Sequence, residues 1–221
     1  MQSKTIRAAM LLGVLIAGAV APLHASAVTY PLNFIFSPAT GTVAPMATVT
    51  LTDLGNAVQF NLLSQAGAGS KLGSFYFNFA QGTINPNQLT FSNVSASNGT
   101  YSTTLAPLTS STVNALKADG DGFFDGKIEY LRNNFLGHGQ TLSFRLSSVG
   151  QNLGIEDFNL FSLPGGGSGS YIMASHIQSL PQGGSSAWVG TVAAVPLPAA
   201  ALLFGSGLIG LLAARGRQLF V

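Results

Sequence analysis

The chain is 221 residues long, only 7% of them charged, and it contains no cysteine, which excludes a disulfide framework and a thiolate metal centre. Four of its nine basic residues (Lys4, Arg7, Arg215, Arg217) lie in the terminal segments. Between them Lys71, Lys117, Lys127, Arg132 and Arg145 face seven acidic residues, so the body is two charges negative and lacks the basic face that nucleic-acid binding needs.

In chain order, Lys4 and Arg7 precede an apolar run, Ala8 to Ala21, followed by Pro22, His24 and Ala25-Ser26-Ala27. A basic start, a short apolar centre and a small-x-small close predict a secretory signal over residues 1–27, with Ala25 and Ala27 flanking the cleavage point. The run is shorter than the roughly 20 residues of a comfortable span. An uncleaved anchor is the alternative.

Residues 28–191 are long enough for one domain with its own core. "NAVQFNLL" alternates Val58, Phe60 and Leu62 with polar or small residues; "KLGSFYFNF" puts Phe75, Phe77 and Phe79 on one side. "TLSFRLSS" puts Leu142, Phe144 and Leu146 inward. Period two with aromatic and branched residues predicts half-buried strands. Further strands are expected over 30–36, 47–53, 88–94, 123–131, 159–162, 171–178 and 187–192. Gly-Asn, Asn-Pro, Asn-Gly, Asp-Gly and Gly-Gly pairs punctuate them as turns. Ser111–Ala118 is the one predicted helix. Many short strands with almost no helix predict an all-β fold, an antiparallel β-sandwich of jelly-roll type.

"ADGDGFFDG" gathers Asp119, Asp121 and Asp125. Calcium wants several oxygens converging on one loop, but an EF-hand starting at Asp119 has Phe124 at its glycine position and Tyr130 in place of its last glutamate. A tight turn whose aspartates bond their own backbone is the first reading and a calcium site the alternative; no other cofactor is indicated. There is no Cys and no G-x-S-x-G in the body. His138, His176, Glu129, Glu156 and Asp157 belong to no catalytic motif, so a non-enzyme is expected, with a secreted hydrolase the remotest alternative. Trp188, the sole tryptophan, and Tyr101 are the candidates for stacking on a sugar ring; packing of Trp188 in the last strand is the competing reading. Asn93-Val94-Ser95 and Asn98-Gly99-Thr100 fit the glycosylation pattern.

The end of the chain carries the most specific signal. Ala199 to Ala214 is uncharged and, as a helix, about 24 Å long, short of a hydrocarbon core of about 30 Å. Arg215 and Arg217 follow and favour a cytoplasmic end. Val195-Pro196-Leu197-Pro198 breaks the helix on the outer side and leaves extended backbone for a protease. Gly205-Ser206-Gly207-Leu208-Ile209-Gly210 fits G-x-G-x-x-G but neither follows a strand nor opens a βαβ unit, so it is no dinucleotide fingerprint.

A Pro-x-Pro motif, a small-residue apolar helix and a short basic cluster, in that order over residues 195–217, resemble the PEP-CTERM sorting signal of Gram-negative bacteria. The resemblance implies recognition by the membrane protease exosortase at Pro196 and Pro198, with Arg215 and Arg217 as the cytoplasmic stop. The central Glu of the family motif is Leu197 here, and Gln218–Val221 extend past the basic cluster. It also implies export, a transient hold in the inner membrane, and a place at the cell surface or in extracellular polysaccharide, biofilm or floc. The expected role is structural or adhesive, the alternative a carbohydrate-binding module. A permanent anchor is the rival reading of the tail.

Overall fold

Where alternation is cleanest the chain folds as its pattern dictates. Val58, Phe60 and Leu62 are buried on one strand, and Leu142, Phe144 and Leu146 on the strand that pairs with it. The computed structural model describes residues 26–38, 40–80, 82–97, 103–105, 116–119, 122–130, 135–167, 169–180, 186–191 and 195–196. The expectations for the signal and tail helices, Ala25, Tyr101, Asp121, Leu197, Pro198, Arg215 and Arg217 fall outside these residues.

The strands run β1 (Ala27–Ser37), β2 (Gly41–Asp53), β3 (Ala57–Ser64), β4 (Lys71–Phe77), β5 (Leu89–Ala96), β6 (Thr103–Leu105) and β7 (Leu116–Ala118). They continue as β8 (Gly122–Phe124), β9 (Gly126–Tyr130), β10 (Thr141–Ser148), β11 (Leu163–Pro164), β12 (Met173–Gln178), β13 (Ala187–Thr191) and β14 (Val195–Pro196). One sheet has the order β5-β10-β3-β2-β1-β13-β12-β4-β9-β6, with β14 also beside β1; a small second sheet is β11-β8-β7. The pairings are antiparallel.

β1 is where the large sheet curls. Its first half pairs with β2 from Ala27↔Thr52 to Leu32↔Ala47, and the register slips between Leu32 and Phe34. Its second half pairs with β13 through Phe34↔Gly190 and slips again between Ile35 and Ser37. Such slips bend a strand and raise its twist. The β5-β10-β3-β2 half therefore folds over β12 and β4, and rings from the two halves meet. Phe60 lies 5.5 Å from Phe77, Phe144 lies 6.4 Å from Phe75, and Phe91 lies 6.4 Å from Phe77. This curled antiparallel sheet closes on one phenylalanine-rich core.

β4 has apolar residues on both faces because both faces are covered. Phe75 and Phe77 point into the core, while Tyr76 points the other way and packs with Phe36, Phe124, Tyr171 and Ala174 beneath the small sheet. Gly190 makes room there: a Cβ on it would come within 2.9 Å of the Tyr171 ring.

Three sequence expectations are corrected. Leu116–Ala118 is strand β7 rather than the end of a helix, since pairing with β8 (Leu116↔Phe124) buries Ala118, and residues 111–115 lie outside the description. Residues 159–162 form no strand; a 3-10 helix, Ile155–Phe158, sinks Phe158 into the core and the chain then runs to β11 as a loop. The strand expected over 123–131 is broken at Asp125, with β8 in the small sheet and β9 in the large one.

Candidate functional site

Trp188 stands on β13 on the outer face, half-buried. His176 of β12 stacks on it at 4.7 Å, Tyr76 meets it at 5.4 Å and 61°, and Phe36 lies at 6.3 Å. The ring packs against these neighbours on one side and keeps part of its surface exposed. Burial pushes the His176 pKa below its usual value, and the Asp119 carboxylate acts in the opposite direction.

The neutral imidazole is therefore favoured in the fold while the unfolded chain titrates near the ordinary value of about 6.5. Its contribution to stability is complete above that value and is lost as pH falls through the folded pKa. Urea unfolding measured from pH 8 to pH 5 should show this decline in the parent protein and a shallower one in His176→Gln. Equal slopes would mean that His176 is equally solvated in both states.

The acidic loop is spread out. Asp119 is exposed in the turn after β7 with φ of +45°, and it accepts a hydrogen bond from the Ser37 hydroxyl. Asp125 is only 2% exposed and sits beyond the far end of β8, where its Oδ2 accepts from the Phe79 N–H at 3.1 Å. The length of β8 separates the two, about 10 Å at 3.3 Å per residue. Among the described residues no group of three His, Cys, Asp or Glu side chains gathers as a metal site.

The other polar candidates are dispersed as well. His138 Nδ1 lies 2.6 Å from the Ala66 carbonyl, Asp157 accepts from the Gly154 N–H at 2.9 Å, and Glu129 pairs with Lys127 at 2.8 Å on the surface. Of the terminal motifs, Ala27 opens β1 opposite Thr52, and Val195 and Pro196 pair with Thr29 and Val28.

The sequence reading did not single out one further cleft. Past the end of β4, the buried Asn78 donates through Nδ2 to the carbonyls of Leu160 (3.1 Å), Tyr171 (3.2 Å) and Ile172 (3.1 Å). Its Oδ1 is buried without a hydrogen-bond partner. Together with Asp125 it lines a cleft of about 290 Å³, rimmed by Leu160, Phe161 and Leu163. Phe161 is 57% exposed and Leu163 52%.

The loop that carries Phe161 is held from both sides. Asn78 takes the Leu160 carbonyl, Ser162 N–H donates to the Tyr171 carbonyl at 2.9 Å, and Tyr171 N–H donates to Ser162 Oγ at 3.0 Å. Leu163 then pairs with Phe123. An aromatic ring kept in water by a pinned backbone, above buried acceptor oxygens, is the arrangement of a small ligand site. A second hollow, among Asn56, Ser147, Gln151 and Asn152, is polar and has no aromatic wall. Among the described residues no helix is long and apolar enough to cross a membrane.

No family model matches the chain, and no curated protein is similar to it. Among solved structures it is similar to biomass sensing modules from Rsgi-like proteins of Clostridium thermocellum, described as resembling the family 3 carbohydrate-binding module of the cellulosome. The identity is 13%, the match covers 68% of this chain and 89% of that one, and the TM-score is 0.31. At that overlap the likeness carries nothing about ligand or activity.

Proposed function

We propose that the chain is an exported cell-surface or extracellular-matrix protein of a Gram-negative bacterium, sorted through an exosortase-like protease. Its body is a jelly-roll β-sandwich with a structural or adhesive role in exopolysaccharide or biofilm. The pairing of Val195 and Pro196 with Thr29 and Val28 supports this reading. The last described strand ends at the first proline of the tail motif, beside the residues that follow the expected signal-cleavage point. The buried core residues, Tyr30 to Val189, lie between the two expected signals.

Intact masses of the protein from membrane and culture supernatant of its native host test the proposal. The expected supernatant species begins at Val28 and ends between Val195 and Pro198, and Pro196→Ala with Pro198→Ala holds the chain in the membrane fraction. A mature species that keeps Arg215 and Arg217 would overturn it in favour of a permanent anchor.

A second reading, carbohydrate binding, is favoured by one observation: the cleft that joins the exposed Phe161 to the buried Asn78 and Asp125.

A further inference from the structure

We infer that the outer face of β3 and β10 binds an acidic polysaccharide, with Arg145 taking the carboxylate of one uronic acid unit. The inference rests on the exopolysaccharide role proposed above and adds to it the class of sugar and the face that holds it.

Arg145 is a cation without a counter-charge. It stands on β10 on the side away from the core, because Phe144 and Leu146 beside it are buried inward. Gln59 lies opposite it on β3 and Ser92 on β5. Gln59 is turned elsewhere: its Nε2 donates to Ser143 Oγ at 2.8 Å and to the Phe144 carbonyl at 2.9 Å. Arg145 is half-buried, and its Nε, next to the stem, is buried without a hydrogen-bond partner. Among the described residues the ion pair is Lys127 with Glu129, and no carboxylate meets Arg145.

Arginine withdrawn from water is normally paired, and its planar guanidinium takes a carboxylate through two parallel N–H···O bonds. With Nε enclosed, the two terminal amino groups are the donors that a ligand above the sheet meets. They present an end-on fork for one carboxylate.

The surroundings point to a sugar as the carrier of that carboxylate. The cross-strand positions of this face on β2, β3, β10 and β5 are otherwise uncharged, and Thr50, Asn61 and Ser143 form the row beside Arg145. Two positions along β10, about 6.6 Å away, Ser147 opens a polar hollow of about 510 Å³ that Asn56, Gln151 and Asn152 also line. Hydroxyls and amides donate and accept, which matches a ring covered in hydroxyl groups, and the volume suits a small ligand. A uronate on Arg145 therefore places the next sugar unit over the hollow.

Other anions fit less well. One arginine cannot neutralise a run of nucleic-acid phosphates. An acidic peptide finds no free strand edge, since β3 and β10 are paired on both sides, and no apolar side chain lines the hollow.

The test titrates the mature protein from its native host with oligogalacturonate and oligoalginate, with neutral gluco- and manno-oligosaccharides and with polyglutamate, following heat. Saturable binding of a uronate oligomer is expected, weakened by salt, with the neutral oligomers and polyglutamate weaker by about tenfold or more. Arg145→Gln should weaken uronate binding about tenfold and leave the thermal midpoint unchanged, since the guanidinium has no partner in the fold to lose. Gln151→Glu, which brings a like charge into the hollow, should weaken it with Arg145 untouched.

Uronate binding that is equal in the parent, Arg145→Gln and Gln151→Glu would overturn the inference and leave the exopolysaccharide role to another face. Neutral oligomers bound as tightly as uronates would overturn the acidic preference and leave that role standing. Polyglutamate bound as tightly as uronates would mean a plain anion site and overturn the choice of sugar. No binding of any saccharide would sink the exopolysaccharide role together with the inference.

Discussion

Phe60→Ala is expected to lower folding stability by about 3–5 kcal/mol, the usual cost of emptying a large aromatic site that cannot collapse. Phe60 is fully buried on β3. Phe144 stacks on it at 4.7 Å, Phe158 meets it edge-on at 5.1 Å, and Phe77 reaches it from the opposite half of the curled sheet at 5.5 Å. Each such ring pair adds about 0.5–1.5 kcal/mol beyond its buried area, and alanine removes all three. The neighbours belong to β10, β4 and the 3-10 helix before the cleft, so none can move in without breaking a ladder or a turn. Phe161→Ala, a change of the same type on an exposed ring, should stay within about 0.5 kcal/mol. Urea unfolding of the two variants beside the parent measures the difference directly. Equal losses would mean that Phe161 is packed, and that the curled core is not where the stability lies.

That contrast also marks what the sequence could tell. The alternation of Val58-Phe60-Leu62 and of Leu142-Phe144-Leu146 was legible because a strand with one wet face shows its buried side directly. The end of the predicted helix at Leu116–Ala118 failed for the opposite reason. Those three residues are strand because β8 lies beside them, and local preference yields to a partner in a small sheet. The cleft was not legible. Asn78 and Leu160 are 82 positions apart, and only folding aims the Asn78 amide at the loop that holds Phe161. A ring in "NLFSLP" gives no sign in sequence of standing in water, whereas Trp188, the conspicuous candidate, is half-buried beside His176, Tyr76 and Phe36. The signal that could have been weighed is the run Phe158, Leu160, Phe161, Leu163, which places more apolar residues than one buried face can take.

Gly126→Ala should cost about 3 kcal/mol, at the upper end of overpacking, although it adds a single methyl group. A Cβ there would lie no more than 2.6 Å from three carbons of the Phe77 ring. The ring has little room to retreat: Phe75 lies 5.9 Å from it, Phe60 5.5 Å, Phe144 6.3 Å and Phe158 6.3 Å. Gly126 faces Phe77 directly across β4 and β9, next to Asp125, so the same pressure reaches the floor of the cleft. Gly41→Ala serves as the control: its Cβ meets nothing within 4 Å and its φ is not positive, and it should change stability by less than about 0.5 kcal/mol. The cause is isolated by a double-mutant cycle. On a Phe77→Ala background the new methyl group has space, and Gly126→Ala should become nearly neutral. If it still costs as much there, the strain lies in the backbone at the β8–β9 break, and the Phe77 ring is not what holds Gly126 in place.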